Sequence, residues 1–150
     1  MYAQWGDWQG NLLVEGFYTD LSDVFALTEI GVEDGVLIKE RRNESGARVF
    51  GGNLEGKLAY RSIWQIQAGM TLQKSDYKET HAWAEDVEAV TTMFRTPNLY
   101  GYFVTSYNPL KPLMLSLSGT YTGRMLVEHH AGWIDANRTE RTPDFFDMNF

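Results

Sequence analysis

The sequence predicts an all-β protein, an antiparallel up-and-down meander. Three observations predict it. Ile63 to Ser75 alternates strictly, with Trp64, Ile66, Ala68, Met70 and Leu72 on one side and Gln65, Gln67, Gly69, Thr71 and Gln73 on the other. That is the period of a strand, not of a helix. Leu113 to Val127 repeats the pattern, with Leu113, Leu115, Leu117, Gly119 and Tyr121 against Met114, Ser116, Ser118, Thr120, Thr122 and Arg124. The 150 residues are 14% aromatic and include 14 glycines, which suits strands joined by tight turns.

Composition bounds the function. A net charge of −7 and a pI near 4.9 argue against nucleic acid as a partner. The absence of cysteine excludes disulfides and thiolate metal sites. No apolar run approaches the ~18 residues of a membrane helix. Met1 to Trp8 has neither a basic segment nor an apolar one, so no export signal is expected within these residues.

In chain order, Met1 to Gly10 reads as a loop or turn carrying Trp5 and Trp8. Asn11 to Thr19 reads as a strand, with Leu12, Val14, Gly16 and Tyr18 on one face. Asp20 to Asp23 is a bend. Val24–Ile30 and Val36–Asn43 are extended, and the glycines of Gly31 to Gly35 supply positive φ for a turn between them. Ala47 to Ala59 returns with Phe50, Leu54 and Leu58 on one side. Counting outward from a turn near Glu33 sets Thr19 opposite Ala47. Val24–Asn43 then protrudes as a hairpin arm. Tyr60 to Ser62 turns into the strand from Ile63. Within the insertion Asp76–Thr96, Thr80 to Phe94 has helical spacing, with Thr80 as a cap and Trp83, Val87, Val90 and Phe94 recurring every three or four residues. Arg95-Thr96-Pro97 ends it. Asn98 to Tyr107 is a strand and Asn108 to Pro112 a short turn. Glu128 to Asp144 is a second long polar insertion, and Phe145 to Phe150 starts another alternation.

Short connections (Tyr60–Ser62, Asn108–Pro112) therefore alternate with long ones (the arm, Asp76–Thr96, Glu128–Asp144). In an up-and-down sheet this puts all short turns at one end, the asymmetry of outer-membrane barrels. The strand from Ile63 also exceeds the about 9–11 residues that a tilted strand needs to cross a bilayer. Tyr60, Trp64, Tyr77, Tyr100, Tyr107 and Tyr121 sit near strand ends, where interfacial girdles lie. Residues 1–150 are thus expected to be a partial segment of a transmembrane β-barrel. Its lipid-facing wall is Leu12, Val14, Leu54, Leu58, Trp64, Ile66, Met70, Leu72, Leu113, Leu115, Leu117 and Tyr121. Lys57 and Arg124 fall on the opposite, lumen face, where charge is tolerated.

The runs N-L-L-V-E-G-F-Y-T-D-L-S-D-V-F, A-R-V-F-G-G-N-L-E-G-K-L-A-Y, I-W-Q-I-Q-A-G-M-T-L-Q-K-S-D-Y and F-R-T-P-N-L-Y-G-Y-F carry a resemblance. Together they resemble the late barrel strands of TonB-dependent outer-membrane receptors of Gram-negative bacteria, over Asn11 to Phe150. The aromatic-Gly-x-x-Leu-Glu pattern is similar at Phe50, Gly51, Leu54 and Glu55, and the Arg-Thr-Pro pattern at Arg95, Thr96 and Pro97. Phe17-Tyr18-Thr19-Asp20 is similar to the Bacteroidetes-type nutrient receptors. The resemblance implies about 22 strands around a plugged lumen. It implies uptake of a siderophore, cobalamin or glycan across the outer membrane. The implied partners are outer-membrane lipid, the rest of the barrel and its plug, TonB, and a surface lipoprotein. Five or six strands fall short of the about eight that close the smallest barrels. The plug, TonB box and export signal are then expected outside these residues, and the isolated segment is expected to self-associate through its sheet edges.

Other chemistry is read as absent: no catalysis, no cofactor, no metal. His81, His129 and His130 lack metal-site spacing and are expected to be solvated. Asp76, Glu79, Glu85, Asp86 and Glu88 form an acidic group that would serve a glycosidase only if two of them converged. Trp83 and Trp133, in the long loops, are expected to pack within their own loop, with ring-stacking platforms as the second reading. The alternative for the whole chain is a soluble antiparallel β protein that encloses an apolar ligand.

Overall fold

The computed structural model describes residues 1–132 and 134–150, with the backbone alone at 26, 29 and 44. Trp133 lies outside the described residues. The described chain is all-β and contains no helix. The strands are β1 (Tyr2–Trp5), β2 (Trp8–Leu21), β3 (Val24–Glu33), β4 (Val36–Glu44), β5 (Ala47–Tyr60), β6 (Trp64–His81), β7 (Val90–Thr92), β8 (Leu99–Leu110), β9 (Leu113–Thr122), β10 (Leu126–His129), β11 (Arg138–Arg141) and β12 (Phe145–Asn149).

The main sheet runs β1-β2-β5-β6-β8-β9-β12, antiparallel throughout, with β7 attached to β6. It is open, with β1 and β12 at its edges. The turns at Gly6–Asp7, Arg61–Ile63 and Lys111–Pro112 all lie at one end, because Trp8, Tyr60, Trp64 and Tyr107 pair across neighbouring strands. These turns are tied to one another. Arg61 N donates to the Asp7 carbonyl at 2.9 Å, and Asn108 N to the Ile63 carbonyl at 2.7 Å. The three excursions, holding β3–β4, β7 and β10–β11, all leave from the other end.

The arm is the β2–β5 ribbon continued. Leu21 pairs with Ala47, and beyond a break Val24 pairs with Glu44. Thr19 therefore meets Val49 and not Ala47. The expected register was off by two, which leaves every side chain on its expected face. The arm turns at Asp34 (φ 51°) and Gly35 (φ 79°), the two positive-φ residues of a tight hairpin.

Three expectations fail. Met1–Gly10 is a hairpin rather than a loop, with Trp5 paired to Trp8. Thr80–Phe94 is not helical, since β6 runs on through Thr80 to His81 and the chain then folds back as β7. Met93 N donates to the Ser75 carbonyl at 3.0 Å, so pairing with β6 overrides the helical spacing. Leu113–Val127 is broken at 123–125, where the chain leaves the sheet for β10. The long insertion expected at Glu128–Asp144 is present, and most of it folds with the β10–β11 hairpin.

The buried apolar residues are few and lie at the excursion end: among those described, Ala47, Trp83, Ala84 and Leu126. Among the described residues, Ala47 at the excursion end of β5 is the one apolar side chain of the main sheet that is buried.

Candidate functional site

Alternation within strands and register between them together assign each side chain to a face. The cross-strand rows of one face begin at the short turns with Trp5, Trp8, Tyr60, Trp64, Tyr107 and Leu115. Next come Gly10, Leu58, Ile66, Thr105 and Leu117. Then follow Leu12, Gly56, Ala68, Phe103, Gly119 and Met148, and after them Val14, Leu54, Met70, Gly101, Tyr121 and Phe146. Gly16, Gly52, Leu72 and Leu99 make the next row, and Tyr18 and Phe50 lead to Lys74 in the one after it.

Before Lys74 these rows carry no charged side chain. Apart from the phenols of Tyr18, Tyr60, Tyr107 and Tyr121, their one hydroxyl, on Thr105, donates back to the Gln65 carbonyl at 2.9 Å. All twelve residues expected on the apolar wall share this face. They are not interior residues: Val14 is 72% exposed and Leu72 62%. The first row is an aromatic ladder. Trp8 lies 4.9 Å from Tyr60 and 6.1 Å from Trp64 between ring centroids, tilted and edge-on. The Trp5 ring covers Gly10, where an added Cβ would stand 3.0 Å from Cη2.

The opposite face is mostly polar, with Leu13 and Val104 among its apolar members, and holds a cavity of about 520 Å³. Asn53 Nδ2 donates to Glu15 Oε2 at 3.1 Å and Thr71 Oγ1 to Asn53 Oδ1 at 2.9 Å. Tyr102 Oη donates to Glu55 Oε2 at 2.7 Å, and Gln67 Nε2 donates to Glu55 Oε1 at 3.2 Å and to Tyr102 Oη at 3.1 Å. The Tyr102 ring lies flat over Gly69, where a Cβ would come within 2.6 Å of Cε1. Any larger residue there would displace the ring. Lys57, paired with Asn11 and Gln67, is on this face as expected.

Several single-residue expectations are corrected. Arg124 lies beyond β9, in the connection, with Asp144 at 3.5 Å. Of the six expected girdle aromatics, Tyr60, Trp64 and Tyr107 join the ladder. Tyr100 pairs with Thr71 on the polar face, Tyr77 packs at 5.3 Å from His81 at the excursion end, and Tyr121 lies mid-face. His81 is not solvated. It is 6% exposed, between Tyr77 and Phe94. Trp83 is 1% exposed and is no platform: its ring meets His130 edge-on at 4.7 Å, and Nε1 donates to Thr139 Oγ1 at 3.2 Å.

Trp83 thereby joins the 82–98 and 123–144 excursions into one cap. Asn137 Nδ2 donates to Asp86 Oδ1 at 3.0 Å, Arg95 Nη2 reaches Glu128 at 2.8 Å, and Arg95 N donates to the Leu126 carbonyl at 2.7 Å. His129 Nδ1 lies 2.7 Å from Glu140, whose carboxyl is held below its usual range by that contact first and by Arg138 next. Of the acidic group, Asp76 pairs with Lys74 at 2.7 Å, and Asp86 is held by Asn137. Among the described residues no three His, Asp or Glu side chains converge as metal ligands.

Sequence reading missed the ladder members Trp5 and Trp8, the later members Phe103, Phe146 and Met148, and the Glu55–Gln67–Tyr102 network. The parity of each strand carries Phe103 and Phe146. The network needed the register.

No protein-family model matches the chain, and neither a curated protein nor a solved structure matches it.

Proposed function

We propose that this chain is a wall segment of a TonB-dependent outer-membrane receptor for nutrient uptake. The apolar face meets lipid and the mostly polar face lines the lumen. The cap and arm stand at the cell surface, where they help bind a siderophore, cobalamin or glycan. One observation carries the membrane reading: six strands align an uncharged apolar face that starts at an aromatic ladder and stops at Lys74. From Trp8 to Tyr18 is ten residue steps, about 34 Å along the strand at ~3.4 Å each. Tilted by about 45° this rises about 24 Å, close to the ~25 Å apolar band of membrane barrels. The receptor assignment within that class rests on the sequence resemblance.

The soluble alternative needs these side chains around an enclosed cavity, and the open sheet leaves them exposed or half-buried. We assign the segment no catalysis. The test is fluorescence of the chain refolded into vesicles whose lipids are brominated near the headgroups or at mid-chain. Trp5, Trp8 and Trp64 should be quenched by the shallow bromines. A chain that stays monomeric in plain buffer, with unquenched tryptophans, overturns the reading.

A further inference from the structure

The charged residues just past the apolar face form a compact belt. Lys74 ends the row of Tyr18 and Phe50. The next row is Asp20, Arg48 and Asp76. Lys78 follows, its N donating to the Gly46 carbonyl at 3.0 Å and its Nζ bonded to Asp20. Arg48 Nε reaches Asp20 at 3.3 Å and Lys74 Nζ reaches Asp76 at 2.7 Å.

This belt holds three cations and two carboxylates on a chain whose net charge is −7. The side chains of Arg48 and Lys74 are 58% and 62% exposed. Guanidinium has five N–H donors and ammonium three, so one carboxylate each leaves donors to spare. The belt also continues the apolar face directly. On the membrane reading proposed above, on which this inference rests, that is the level of the lipid headgroups.

We infer that Arg48, Lys74 and Lys78 hold the phosphate of an anionic membrane lipid, one whose headgroup carries no cation of its own, against the sheet. The lipid's acyl chains lie down the apolar face over Phe50 and Leu72, and its phosphate accepts from the belt. Asp20 and Asp76 orient the cations and compete with the phosphate. Charge complementarity and continuity with the apolar face select a phosphate-bearing lipid over a soluble anion, which would gain nothing from that face.

The test is native mass spectrometry of the full chain in neutral detergent micelles doped with phosphatidylglycerol or phosphatidylcholine, at physiological salt. Wild-type chain should retain phosphatidylglycerol at least about fivefold better, the advantage that one surface cation gives near an anionic lipid. Inorganic phosphate at equal concentration should not displace it. The triple variant Arg48→Gln, Lys74→Gln, Lys78→Gln should lose the preference. Asp20→Asn with Asp76→Asn, which keeps every cation, should raise it and guards against a triple variant that fails to fold. Equal retention of the two lipids by a micelle-inserted chain, a preference kept by the triple variant, or displacement by free phosphate overturns this inference alone. A chain that enters no micelle overturns the membrane reading as well.

Discussion

At the residue scale, face decides what a substitution costs. Met70 and Thr71 are adjacent in β6 and point to opposite sides. Met70→Arg would put a charge at mid-face and should cost about 2–4 kcal/mol in a bilayer, against little for Thr71→Arg. Denaturant unfolding of the two variants in vesicles measures the difference, and equal costs would remove the lipid from the argument. Trp83 makes a separate case. It is buried, and its truncation to Ala should cost about 3–5 kcal/mol. Because it bridges two excursions, limited proteolysis of Trp83→Ala should cut within 82–98 and 123–144 while the sheet stays protected. The Asp7–Arg61 pair gives the pH dependence. The hydrogen bond from Arg61 holds the Asp7 carboxyl below its ordinary 3.8, and the Coulombic attraction adds to it. A depressed carboxylate contributes stability above its unfolded pKa and loses it as pH falls through the folded value. Thermal unfolding of wild type and Asp7→Asn should therefore differ at pH 7, hold that difference down to about 3.8, and converge below the lowered value.

At the element scale, the arm's turn is the sharpest case. Asp34 and Gly35 both have positive φ, and only glycine takes that conformation without a steric penalty. Gly35→Val should destabilise the β3–β4 hairpin by about 1–2 kcal/mol. Hydrogen exchange should rise in 24–44 and stay unchanged in β5 and β6. The long alternating strands were legible in the sequence, because a period of two over ten residues leaves no other element. So was the alternation of short and long connections. The 80–94 segment misled because Trp83, Val87, Val90 and Phe94 satisfy helical spacing. Its fate is set by β6, whose unpaired edge beyond Leu72 takes the returning β7. Trp5 and Trp8 look like loop residues until a hairpin places them in register. Local sequence reports period and turn chemistry. It does not report which distant edge a short segment will find.

At the scale of the whole molecule, the twelve apolar residues singled out in the sequence lie on one face, because the two-residue slip between β2 and β5 preserves parity. The contacts that bind the excursions into a cap were not legible, since they join residues such as Asp86 and Asn137 across two separate insertions.

The directions of the strands carry a consequence for assembly. Seven strands lie along the sheet's path and each reverses its neighbour, so β1 and β12 point the same way. A cylinder with opposed neighbours at every seam holds an even count of staves. On the proposed membrane reading, the strands that complete the cylinder must be odd in number. Two copies related by rotation about the cylinder's own axis would meet at seams where both staves run alike, so such a pair would not close a cylinder of that kind.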